Sequence, residues 1–197
     1  MKKIFLVSLL VGLMVFGAVA ETSFGIKGGL TLGRMSNQDL GSGVDEKFRM
    51  GFAGGGMMVM PLNEQMHIQA ELMYVMKGEK WDIDGMGEAE YNINVIEIPV
   101  MLRFMASKYM AVYGGPSFNY IMTAEAGLDG DMEDIKDDLV DMTFGLSLGA
   151  QYMMDKIVFD ARYDLGLTSI IEDETGAPVE EDEGRLSTIY VTVGYLF

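Results

Sequence analysis

A chain of 197 residues with no cysteine can form neither a disulfide nor a Cys-based metal or nucleophile site. Its formal charge of −16 argues against a nucleic-acid partner, whose phosphates need Lys and Arg. Hydrophobic residues make up 49% of it, yet no apolar run after residue 20 approaches the ~18 residues of a membrane-spanning helix, so those side chains must be distributed by a pattern.

In chain order, Lys2 and Lys3, the apolar run from Ile4 to Phe16 and the small-residue tripeptide Ala18-Val19-Ala20 predict a secretory signal over residues 1–20, cleaved before Glu21. Residues 21–197 then form one domain, with a charge of −18 once Lys2 and Lys3 are gone. From Ser23 onward the dominant period is two, the signature of strands. Eight such runs are predicted, at about 23–33, 48–60, 67–77, 91–104, 109–121, 142–153, 157–168 and 187–197. The seventh is the clearest. Ile157, Phe159, Ala161, Tyr163, Leu165 and Leu167 share one face, and Val158, Asp160, Arg162, Asp164, Gly166 and Thr168 the other. The nineteen methionines are scattered without a histidine cluster and read as adaptable apolar filler.

The non-apolar faces hold mainly Gly, Ser, Thr and Ala with isolated charges. That suits a cramped interior better than a solvated surface, and sets the pattern against a soluble ligand-binding barrel of the lipocalin type. The links alternate as well. Links two, four and six are short, and links one (34–47), three (78–90), five (122–141) and seven (169–186) are long. The long links carry 23 of the 30 acidic residues and five basic ones. Outward aromatics gather near the strand ends, with Phe24, Phe104, Tyr152, Phe159 and Phe197 at one rim and Phe48, Tyr74, Tyr120 and Phe144 at the other. The expected fold is therefore all-β: an eight-stranded antiparallel up-and-down transmembrane barrel with short periplasmic turns and four long, acidic extracellular loops. Pro99 and Pro116 fall inside predicted strands and are expected to sit at bulges or bends.

On the predicted lumen face lie Lys27, Arg49, Glu71, Lys77, Glu97, Arg103, Asp160, Arg162 and Asp164. An unpaired charge in a dry interior is costly, so these should pair across strands, for instance Glu71 with Glu97 bridged by Arg103 or Arg162. A structural ionic plug and a narrow conducting pore are the two readings of that set. The only histidine, His67, lies beside the short second link, the wrong end for lipid chemistry at the outer leaflet, so no catalytic residues are assigned. Clustered carboxylates at Asp129, Asp131, Glu133 and Asp134 invite divalent cations. The stretch fails the EF-hand template, with Asp134 where Gly is needed and Val140 where Glu is needed. Trp81, in the third link, reads as a loop contact or a partner anchor.

Short segments add a resemblance. Phe24-Gly25-Ile26-Lys27-Gly28-Gly29-Leu30, Ile68-Gln69-Ala70-Glu71-Leu72, Glu97-Ile98-Pro99, Tyr113-Gly114-Gly115-Pro116 and Asp160-Ala161-Arg162-Tyr163 with Gly166-Leu167 stand in an order and spacing that resembles the outer-membrane β-barrel family that includes the PorT-like proteins. Some PorT-like members are linked to type IX secretion and gliding. The C-terminal Gly194-Tyr195-Leu196-Phe197 looks like the signal read by barrel-assembly machinery, which favours a terminal aromatic on a strand with a free edge. The resemblance says little about activity; the residues themselves lead to the expectation of a non-enzymatic integral outer-membrane protein without cofactors, with a structural or interaction role and acidic loops presented outside. Its partners would be membrane lipid and lipopolysaccharide, the assembly machinery during biogenesis, and an extracellular or envelope protein. A diffusion channel and an outer-leaflet lipid-modifying enzyme are the alternatives.

Overall fold

The computed structural model describes residues 22–36, 44–83, 87–128, 131–171 and 184–197; the predicted signal, Asp129 and most of the seventh link lie outside these. Nine strands form among the described residues: β1 (Ser23–Ser36), β2 (Val44–Pro61), β3 (Met66–Ile83), β4 (Gly87–Met105), β5 (Met110–Leu128), β6 (Asp131–Asp134), β7 (Met142–Met154), β8 (Ile157–Gly166) and β9 (Arg185–Leu196). β1 to β5 pair in chain order, β5 pairs with β7, β7 with β8, β8 with β9 and β9 with β1, all antiparallel. The sheet is therefore closed into an eight-stranded barrel, with β6 added outside the ring beside β5. Closure leaves no long edge.

The alternation decides which way each side chain points. Large apolar residues such as Ile26, Leu30, Leu72, Leu102, Leu148, Tyr163 and Val191 are about half exposed on the outer face, while their neighbours along the strand are buried. Followed strand to strand from Ser23 through Val59, Gln69, Met101, the Gly115–Ser147 pair, Asp164 and Thr188, the register returns to β1 at Gly33. That stagger is the tilt a closed sheet requires, and a ring of eight strands encloses a space that side chains fill.

Two differences from the sequence expectation concern backbone. Links three and five are largely strand. Residues 78–83 of β3 pair with 87–92 of β4, and 123–128 of β5 pair with β4 and, over 125–128, with β6. Their polar composition suggests loop, but strands above a membrane need no apolar outer face, and the ladder carries on with charged side chains. β2 to β6 thus rise above the other strands as a wall. The second difference is at the prolines. The register shifts lie at Phe48/Ala53 and Asn94/Val95, not at Pro99 or Pro116. Near the prolines the pairing lapses, at Glu71 and Leu72 on β3 and between Val100 and Met101 on β4, but it resumes in the same register. A missing N–H breaks a rung without requiring an extra residue.

The bulge at Asn94/Val95 inserts Met122 into β5, so that Met122 and Thr123 both face out and Ala124 turns inward. The shift at Phe48/Ala53 lies beside Gly78, whose φ of 144° and close approach to the Tyr91 carbonyl leave no room for a side chain.

Candidate functional site: a filled lumen

Seven of the lumen charges form one chain of alternating sign. Asp160 Oδ1 lies 3.4 Å from Lys27 Nζ, which is 3.0 Å from Glu71 Oε1. Glu71 Oε2 accepts from Arg162 Nη1 at 3.0 Å, and Arg162 Nη2 donates to Glu97 Oε1 at 2.6 Å. Lys77 Nζ lies 2.7 Å from Glu97 Oε2 and 3.4 Å from Asp164 Oδ1. Of the two arginines considered as a bridge between Glu71 and Glu97, Arg162 makes both contacts. The chain begins and ends on β8, at Asp160 and Asp164, with Arg162 between them on the same inward face.

Neutral donors complete the carboxylates. Tyr190 donates to Glu97 Oε2 at 2.6 Å and its ring lies 4.0 Å beneath the Arg162 guanidinium. Tyr113 and Gln151 donate to Asp160 at 2.9 and 2.7 Å, Ser147 to Asp164 at 2.7 Å, and Gln69 to Glu71 at 2.6 Å. Lys77 also donates to Asn119 at 3.0 Å. All seven charged side chains are at least nine-tenths buried. At that depth each charge needs the partners it has, because burial removes the water that would otherwise solvate it.

Arg49 and Arg103 are buried outside the chain of ion pairs, Arg103 within the field of Asp160 at its end. Arg49, near the loop end, donates to Glu90 at 3.0 Å and to the Lys77 carbonyl at 3.2 Å. Arg103, at the short-turn end, forms no ion pair among the described residues and donates to the Met153 sulfur. His67 lies opposite Arg103 in the β3–β4 register, away from the alternating chain.

Above the ionic chain the lumen changes character. Ala53, Met73, Val75, Ile93, Val95, Ile121, Ala124 and Leu186 form an apolar layer joined from above by Leu139 and Ile170. These last two lie outside the barrel strands. Their segments are fastened by backbone bonds, from Val140 to Ile170 at 3.0 Å, from Ile170 to Gly184 at 3.0 Å and from Ile121 to Asp141 at 2.9 Å, and by the Leu139–Ile171 bridge. They cover the ionic chain with hydrocarbon, while Arg49 and Glu79 stay buried nearer the loops.

The other sequence candidates fall elsewhere. Asp131, Glu133 and Asp134 are exposed on β6, where alternation sends neighbouring carboxylates to opposite faces, and Asp129 lies outside the described residues. Tyr195 and Phe197 are exposed at the short-turn end with rings 6.0 Å apart, and Gly194 is buried between Met57 and Lys27. Trp81 contributes its backbone to β3, opposite Glu46 and Ala89. Tyr190 and Gln151 are not singled out in the sequence, and Gln69 and Tyr113 stand there only as members of the resemblance motifs. Tyr190 carried a signal, since it is the one large residue among the small inward positions Thr188, Thr192 and Gly194.

A closed antiparallel barrel with an apolar outer face, an aromatic rim and a polar, filled interior is a transmembrane barrel of the outer-membrane class. The chain belongs to the outer membrane protein beta-barrel domain family, whose model matches residues 20–172. No curated protein matches it significantly. Among solved structures it is similar to Neisserial surface protein A, at 14% identity and a TM-score of 0.57 over 90% of this chain and 100% of that one. It is also similar to Ail, the attachment invasion locus protein of Yersinia pestis, at 15% identity and 0.49 over 89% of this chain and 97% of that one. Outer Membrane Protein W of E. coli aligns over the same shares, at 15% identity and 0.39.

Proposed function

We propose that this protein acts through the surface it presents at the outer membrane, as a non-enzymatic structural or interaction protein, and that its lumen is a structural plug. The observation that carries this reading is the filled lumen. The charges pair with one another in alternating sign, and hydrocarbon covers them on the loop side. A conducting barrel keeps water along its axis, and eight strands leave little space for it. General acid–base chemistry needs a group free to exchange a proton with substrate, whereas the lumen carboxylates are already engaged by Lys, Arg, Tyr, Gln and Ser donors. The raised wall of β2 to β6 then becomes the region offered to an extracellular or envelope partner. Its hairpin carries exposed acidic residues at Glu125, Asp131, Glu133 and Asp134. The PorT-like resemblance rests on the short motifs and adds no specific pathway.

Planar-bilayer recording tests the reading against its chief rival. The refolded chain is expected to give no stable conductance steps above the protein-free baseline. Regular steps that scale with protein inserted would make the lumen a channel and overturn the proposal.

A further inference from the structure

The short-turn end carries a feature that the filled lumen does not use. An arc of exposed aromatic rings runs along the outer face from β5 to β9. Tyr109 lies 6.4 Å from Tyr152, Tyr152 lies 6.5 Å from Phe159, and Tyr195 lies 6.0 Å from Phe197. Cross-strand pairing holds the arc together, with Met110 opposite Tyr152, Tyr152 opposite Phe159 and Ile157 opposite Tyr195. One lysine stands over the arc at each side. Lys108 Nζ is 4.5 Å from the Tyr109 ring centre and Lys156 Nζ is 5.7 Å from that of Tyr195.

Neither ammonium forms an ion pair among the described residues, although Asp155 adjoins Lys156 in sequence. Their backbones are held in place. Ser107 Oγ accepts from the Tyr109 and Met110 amides in the β4–β5 turn, and the Leu196 amide donates to the Lys156 carbonyl at 2.8 Å. The third short turn, at residues 62–65, has Glu64 and no basic residue. Among the described residues, positive charge above lipid-facing rings therefore marks one side of this rim.

We infer that the arc bounded by Lys108 and Lys156 is a binding surface for anionic phospholipid in the periplasmic leaflet. The phosphates would meet the two ammonium groups, the Tyr109, Tyr152 and Tyr195 rings would lie at headgroup level, and the acyl chains would run along the apolar face below them. The chemistry matches on both counts. A lysine over an aromatic ring leaves its other N–H donors for a phosphate, and interfacial Tyr accommodates the boundary between hydrocarbon and headgroup. The third short turn, with Leu62 and Glu64, offers the same headgroup no cation.

The test is native mass spectrometry of the full barrel released from membranes containing equal phosphatidylglycerol and phosphatidylcholine of identical acyl chains. Retained lipid is expected to favour phosphatidylglycerol, by roughly fivefold for each lysine that reaches a headgroup. That preference should collapse when the membranes are equilibrated in about 1 M salt. It should also collapse in the Lys108→Gln/Lys156→Gln variant, while Lys80→Gln, above the membrane, leaves it unchanged. Heat-modifiable electrophoretic mobility verifies that each variant is a folded barrel, and the salt series on the unmodified chain needs no variant at all. Equal retention of the two lipids, or a preference that survives in the double variant, overturns the inference.

Discussion

Two levels of the same lumen are filled by opposite chemistries. The middle of the barrel holds buried charges that pair with one another in a chain from Asp160 to Asp164, and the loop end holds an apolar layer closed by Leu139 and Ile170. The apolar layer contributes stability in proportion to the area it removes from water, and it tolerates changes of shape that conserve volume. The ionic layer contributes little net stability, because desolvation offsets most of the Coulomb attraction. It is nevertheless intolerant of losing a member, since that leaves an uncompensated buried charge. The apolar layer also keeps external water away from the charges beneath it, which strengthens every pairing.

The comparison predicts where substitutions should hurt. The largest effect is expected for Arg162→Met, which removes the cation between Glu71 and Glu97 and leaves four carboxylates to two lysines; urea unfolding in lipid vesicles should show a loss of about 3–5 kcal/mol. Ile170→Ala, in the apolar cover, should cost about 2–4 kcal/mol in the same assay, with the loss tracking the cavity it leaves. Tyr190→Phe removes the hydrogen bond to Glu97 but keeps the ring beneath Arg162, and should cost about 1.5–3 kcal/mol. If Ile170→Ala proved costlier than Arg162→Met, the contrast between the two layers would be reversed.

The smallest effect lies outside the membrane, in the raised wall. Burial alone would raise the pKa of Glu90, but its hydrogen bonds from Lys80 and Arg49 outweigh that and hold the carboxyl below the usual carboxylate range. A carboxyl with a lowered folded pKa adds stability that is present above its unfolded pKa and is lost as the pH falls through the folded value. Glu90 is partly exposed, so the contribution should be only about 0.5 kcal/mol. Glu90→Gln should therefore be less stable than the unmodified chain at neutral pH, and the gap should close on acidification. A gap that widened with acid would reverse the assigned sign.

The barrel itself was legible because one face of nearly every strand meets lipid. Ile157, Phe159, Tyr163 and Leu165 could alternate with Val158, Asp160, Arg162 and Asp164 only if two environments flank the strand. The inward position of the charges followed from the same parity. The parity rule left the bridge between Glu71 and Glu97 open between Arg103 and Arg162, because pairing depends on which side chains a tilted register brings to one level. Arg162 reaches β3 and β4 across the lumen, a contact that no local spacing encodes. The apolar cover was not legible either, since Leu139, Val140 and Ile170 lie in segments whose acidic composition reads as solvated loop. Likewise the extensions of β3, β4 and β5 lack the apolar face by which the other strands are recognised.

Whether the ionic layer is a self-compensating plug is decided by pairing the Arg162→Met and Glu97→Gln substitutions. The double variant leaves Asp160–Lys27–Glu71 and Lys77–Asp164 and restores the chain's net charge, which Arg162→Met alone makes more negative by one. Its urea-unfolding stability should recover most of what Arg162→Met alone loses. A double variant that loses as much as the two single losses added together would show that these residues stabilise independently, and the plug as described here would be wrong.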